Sequence, residues 1–99
     1  MLYLHDNVTR LSKKNVKRSY VVVATVGHHV RVVGRSASRH TGVFTPAATM
    51  PEFDRDGYFW PSSARISFGD ARRARNIGRL PEPYLSQVLA QYRRRRRKT

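Results

Sequence analysis

The residues with the most distinctive chemistry stand near one end of the chain. They are Arg93, Arg94, Arg95, Arg96 and Arg97, followed by Lys98. A guanidinium is planar, always charged, and grips phosphate through two parallel N–H groups, whereas an ammonium is a point charge. Five in succession point to nucleic acid, with a nuclear localisation signal or a solvated tail as the plainer readings. Positive charge suits a helix C-terminus, but a run of this length exceeds that need. Further basic groups precede it: Arg72, Arg73, Arg75 and Arg79, then Arg31, Arg35 and Arg39, then Lys13, Lys14 and Lys17. All are candidate phosphate contacts. If about eight cationic groups met phosphates, log affinity would fall with log salt at a slope of roughly −6 to −7.

Catalytic chemistry is harder to assemble from these residues. His28 and His29 are adjacent, so in a strand or turn they point apart, and His5 and His40 have no helpful spacing. Asp54-Arg-Asp-Gly57 is better explained as a turn than as a pair of acids. No nucleophile elbow or Ser/His/Asp pattern occurs. The absence of cysteine removes thiolate ligands, zinc fingers and disulfides. The loop from Gly34 to Gly42 has small and basic residues but not the lysine of a Walker loop. No GxxG loop of the KH type is present. Arg55-Asp-Gly57-Tyr-Phe-Trp60 echoes the glycine-aromatic run of the RNA recognition motif, but carries an extra aspartate and lacks the later spacing. Tyr58, Phe59, Trp60 and Arg65 could stack on bases, although such aromatics more often form core. The sequence therefore predicts a protein that is not an enzyme, with no catalytic residue, metal, cofactor or small-molecule substrate.

Charge supports the same direction. Twenty Lys and Arg face six Asp and Glu, for a net charge of +14 and a pI near 11.6. Self-repulsion of that size opposes compaction unless a polyanion neutralises it. A GC-rich genome favouring arginine codons is the bland alternative. Hydrophobic residues make up 39% of the 99 residues, so the core is thin and partner contacts could supply part of the folding free energy. No apolar run is long enough to span a bilayer. The first twenty residues carry Arg10, Lys13, Lys14, Lys17 and Arg18 against Asp6 alone. This is compatible with an organellar targeting segment, read here as a retained one.

The elements that must position these groups begin with Tyr20 to Val33, the densest apolar stretch. Two valine-rich strands, Tyr20 to Val26 and His29 to Val33, flank Gly27-His28, which suits a two-residue type II′ hairpin turn. That turn sets Val26 opposite His29, Thr25 opposite Val30, Ala24 opposite Arg31, Val23 opposite Val32 and Val22 opposite Val33. One face then carries Val21, Val23, Thr25, Val30 and Val32 against the core. The other presents His29, Arg31 and Arg35 to an anionic partner.

Val43-Phe44-Thr45 reads as a short strand, and Pro46 to Pro51 as irregular. Tyr58 to Trp60 should form a strand that stops at Pro61, with a second strand over Ala64, Ile66 and Phe68 whose other face is basic. A second hairpin around the aspartate turn makes Phe53, Phe59 and Phe68 further core candidates. Asp70 can cap a short helix closed by Gly78. After Pro81 and Pro83, the i, i+3, i+4, i+7 pattern of Leu85, Val88, Leu89 and Tyr92 predicts an amphipathic helix. A weak helical stripe over Val8, Leu11 and Asn15 competes with an extended arm or a solvated tail. The predicted architecture is α+β: a small β-hairpin-based sheet with a C-terminal amphipathic helix and extended basic arms. Its parts are a basic arm over residues 1–18, a mixed domain over 19–92 and an arginine-rich tail over 93–99.

In composition and layout over its full length, the chain resembles small basic ribosomal proteins, especially those of organellar ribosomes. No specific motif carries the resemblance. It implies a structural, RNA-binding role in a ribosome, with ribosomal RNA and neighbouring ribosomal proteins as partners, and a mitochondrial location. Two other classes stay open. One is an assembly subunit of an organellar membrane complex, with its tail on anionic lipid. The other is a DNA-condensing viral or chromatin protein. A cytoplasmic or nuclear location is the alternative to the mitochondrial one.

Overall fold

In the computed structural model, residues 1–5, 9, 17–38 and 40–97 are described. The valine-rich hairpin stands where the sequence puts it, and further strands extend it on both sides. The strands are β1 (Leu2–His5), β2 (Lys17–Val26), β3 (His29–Ser36), β4 (Val43–Thr45), β5 (Gly57–Ser67) and β6 (Arg75–Asn76). Among the described residues, helices α1 (Phe68–Arg73) and α2 (Tyr84–Arg97) follow β5 and β6 respectively, and a 3-10 turn spans Ala47–Thr49. They form a compact α+β fold with one six-stranded antiparallel sheet in the order β4-β5-β3-β2-β1-β6.

The hairpin register agrees with expectation for three pairs: Val26 with His29, Thr25 with Val30 and Ala24 with Arg31. Between Val22 and Ala24 the register shifts, so Val22 meets Val32 and Val21 meets Val33. Val23 is the extra residue of a β-bulge, and one extra residue exchanges faces for everything beyond it. Val21 and Val33 therefore face one side, and Tyr20, Val30 and Val32 the other.

Both sides are covered. On the first, Val21, Val33, Phe53, Phe59, Leu80 and Val88 form a buried cluster joined by Tyr84 and Leu85 of α2. On the second, Tyr20, Val30, Val32, Ala64 and Ile66 are buried under Phe68, Ala71 and Ala74. The expected division into one core face and one partner face is thus corrected. This leaner chain makes two thin cores, one per face.

Pro61 does not end its strand. Ser63 pairs with Val33 and Phe59 with Arg35, so Trp60, Pro61 and Ser62 stand against Gly34 alone. A proline is tolerated in such an irregularity because its missing N–H has no ladder partner to lose. Gln91 of α2 answers the carbonyls freed there, its Nε2 donating to Phe59 O at 3.3 Å and Trp60 O at 3.2 Å. The same crowding fixes Gly42, whose φ is +101° and whose absent Cβ would lie 1.9 Å from Phe59 O. Gly42→Ala is expected to cost about 1–3 kcal/mol, read as a lower denaturant midpoint with an unchanged slope.

Other boundaries moved for local reasons. Gly34, Arg35 and Ser36 continue β3 rather than opening the loop. Phe53 and Phe59 are buried, while Phe68 is half-buried at the start of α1. The cap of α1 is Ser67, whose hydroxyl accepts from Asp70 N at 3.0 Å, and Asp70 sits in the first turn. The basic arms are not what the ends of the described chain form. Leu2–His5 is a strand paired with β2, and α2 runs unbroken from Tyr84 to Arg97. The stripe over Val8, Leu11 and Asn15 lies outside the described residues.

Candidate nucleic-acid interface

The apolar stripe of α2 builds the site. Val88 is fully buried, and Leu85, Leu89 and Tyr92 are half-buried against the sheet. Residues three and four further along a helix share the same side, so Tyr92 is followed on that side by Arg95 and Arg96. These two arginines meet Arg31 of β3 across a cleft of about 360 Å³, with Ser63 of β5 beside them. Successive residues turn by about 100° around a helix, so Arg93 and Arg94 leave in other directions, and both are exposed.

Arg31 also stands directly opposite Arg65 of β5. Like charges at such a cross-strand pair repel. Arg65 is exposed and occupies the same face of β5 as Ser63, which borders the cleft. No carboxylate is among the described residues lining this cleft. His29 reports the local field. Burial pushes its imidazole below its ordinary pKa of 6.5, and Arg65, Arg31 and His28 push the same way.

Because the folded pKa is depressed, protonation favours the unfolded chain. The stability tied to His29 is complete above 6.5 and is lost as pH falls through the lower folded value. Arg65→Gln is expected to raise the His29 midpoint toward 6.5, measured from its imidazole NMR shifts. A midpoint that stays put would mean that Arg65 contributes nothing to the field there.

The remaining candidates are dispersed. Arg72 and Arg73 are exposed on α1, which packs on the opposite face of the sheet from α2. Arg73 is paired with Asp70. Arg75 is exposed on the edge strand β6, and Arg79 is exposed between β6 and α2. The structure thus brings Arg31 together with Arg95 and Arg96, and leaves Arg72 and Arg73 on a second basic surface. Lys17 is exposed at the start of β2. It borders a larger cleft of about 430 Å³ whose lining mixes Arg18 and Arg55 with Glu52 and Asp54. Lys13, Lys14 and Arg39 lie outside the described residues, and α2 is described to Arg97 in its backbone.

Arg35 departs from its expected role. It is 8% exposed. Its Nε donates to Thr45 Oγ1 at 2.7 Å, and its Nη2 donates to Thr45 O at 2.9 Å and Arg55 O at 2.7 Å. The guanidinium carbon lies 3.8 Å from the centre of the Phe53 ring. Burial pushes its pKa down, while Asp54 and Asp56 pull it up. A group so committed pins β3 to β4 and to the aspartate turn, with its Nε and Nη2 donors already taken within the protein.

The aromatic run divides as well. Phe59 and Trp60 are buried, and the Arg18 guanidinium lies 4.7 Å from the Trp60 ring centre. Tyr58 stacks on His40 at 5.2 Å and touches Phe44. Tyr92 is a site residue that the sequence left out of its candidate contacts, and Arg65 is one that it offered only for base stacking and not for phosphate. Extending the α2 periodicity past Tyr92, and pairing β3 with β5, would have found both.

Among the described residues, no helix is long and apolar enough to cross a membrane, and no cluster of His, Asp and Glu is suited to hold a metal ion. No known protein family, curated protein or solved structure matches this chain.

Proposed function

We propose that this protein is a non-catalytic RNA-binding subunit of a ribonucleoprotein, a ribosome of the mitochondrial type. There it neutralises ribosomal RNA phosphates and joins RNA segments to neighbouring proteins. One observation carries the reading. Arg31, opposed by Arg65, faces Arg95 across a cleft whose lining, among the described residues, holds no carboxylate. Cations gathered in that way raise the free energy of the lone protein, and a closely spaced row of phosphates offsets it.

The distribution of charge supports a bridging role. Arg72 and Arg73 lie on the side of the sheet away from α2, so two nucleic-acid segments can be held at once. The basic composition of the first twenty residues is what supports the organellar location.

The test compares three labelled polyanions at about 0.15 M salt: a folded RNA with loops and bulges, a duplex DNA of equal charge, and vesicles rich in anionic lipid. The RNA is expected to bind tightest. Equal affinity for the duplex would replace this reading with DNA condensation, and tightest binding to vesicles would replace it with a membrane-surface role.

A further inference from the structure

The cleft between β3, β5 and α2 has a lining of two unlike characters. Arg31, Arg95 and Arg96 are cationic, and Val26, Pro61 and Tyr92 are apolar or aromatic. A site for phosphate alone has no use for the apolar set, and an apolar ligand has none for the cationic one. Nucleotides carry both characters, an anionic phosphate and a flat, weakly polar ring. The cleft volume of about 360 Å³ is at the small end of the range for ligand pockets, roughly 300–1,000 Å³, and suits one such unit.

We infer that this cleft takes a single unstacked nucleotide of the bound RNA, an inference that rests on the RNA reading above. The base lies on the Tyr92 ring and against Pro61 and Val26. Its phosphate sits between Arg31 and Arg95, and the Ser63 hydroxyl is available to the ribose or the base edge. A paired base cannot enter, because its faces are covered by its neighbours in the helix. The site therefore selects bulges, loops and ends over continuous duplex, which is how RNA is most often read. Stacking on one aromatic ring is sequence-tolerant, so the preference is for an extruded base and not for a particular one.

The experiment uses the full chain and two RNA hairpins of equal length of paired stem. One is perfectly paired and the other carries a single bulged 2-aminopurine. The bulged hairpin is expected to bind about 10-fold tighter, with its fluorescence quenched on binding. Tyr92→Phe keeps the preference. Tyr92→Leu, which retains an apolar side chain on the stripe, and Arg31→Gln, at a half-exposed position, both abolish it. Equal affinity for the two hairpins without quenching would overturn the inference and leave RNA binding intact. Binding to neither would overturn both. An undiminished preference in Tyr92→Leu would also sink the inference.

Discussion

With Arg93 to Arg97 all replaced by glutamine, the protein is expected to bind structured RNA about a thousandfold more weakly at 0.15 M salt. Each phosphate contact on a duplex region adds close to −0.9 to the log–log salt slope, so losing the run makes the slope shallower by about four. Glutamine has nearly the helix propensity of arginine. Helix α2, which spans Tyr84–Arg97, therefore persists while the charge goes. Circular dichroism should show unchanged helix content alongside the lost affinity. The geometry says why the effect is large. The backbone of a continuous helix sets the spacing of the five arginines, so none of that backbone has to be ordered in the binding event. An affinity that falls less than about tenfold would place the main phosphate contacts elsewhere.

Arg35→Met is expected to destabilise the fold by about 3–5 kcal/mol. Two backbone carbonyls, Thr45 O and Arg55 O, would lose a charged donor at a site only 8% exposed, and each such bond is worth about 1.5–3 kcal/mol. For a domain of this size the melting temperature should drop by at least about 12 °C. Arg35→Lys should not rescue it, because an ammonium lacks the planar fork that serves three acceptors at once. At a temperature where Arg35→Met is still folded, its salt slope for RNA should equal that of the parent protein. A small melting shift together with a shallower slope would return Arg35 to the phosphate contacts.

Arg95, Arg96 and Arg35 show what the sequence could and could not reveal. Arg95 and Arg96 are readable because helical periodicity is local. The stripe of Leu85, Val88 and Tyr92 continues into them, and only the division of residues 93–99 from the domain as a tail hid the partnership. Arg35 was not readable, because its fate depends on Thr45 and Arg55, which are distant in the chain and reach it through sheet pairing. The same holds for the bulge at Val23. The turn at Gly27-His28 fixes the first three pairs by its own geometry, and packing on both faces then decides the rest. Pro61 misled for a related reason. A proline ends a regular ladder, but β5 carries extra residues there, and Gln91 donates to the Phe59 and Trp60 carbonyls. Burial on both faces was also out of reach, since alternation in one hairpin cannot tell which later segments return to cover it.

The most direct measurement is the affinity of the intact chain for one structured RNA between about 0.05 and 0.3 M salt. If the arginine surface of β3, β5 and α2 serves as argued, log affinity falls linearly with log salt at a slope of roughly −6 to −7. A slope shallower than about −2, at any affinity, would mean that few of these guanidinium groups meet phosphate, and would contradict the account.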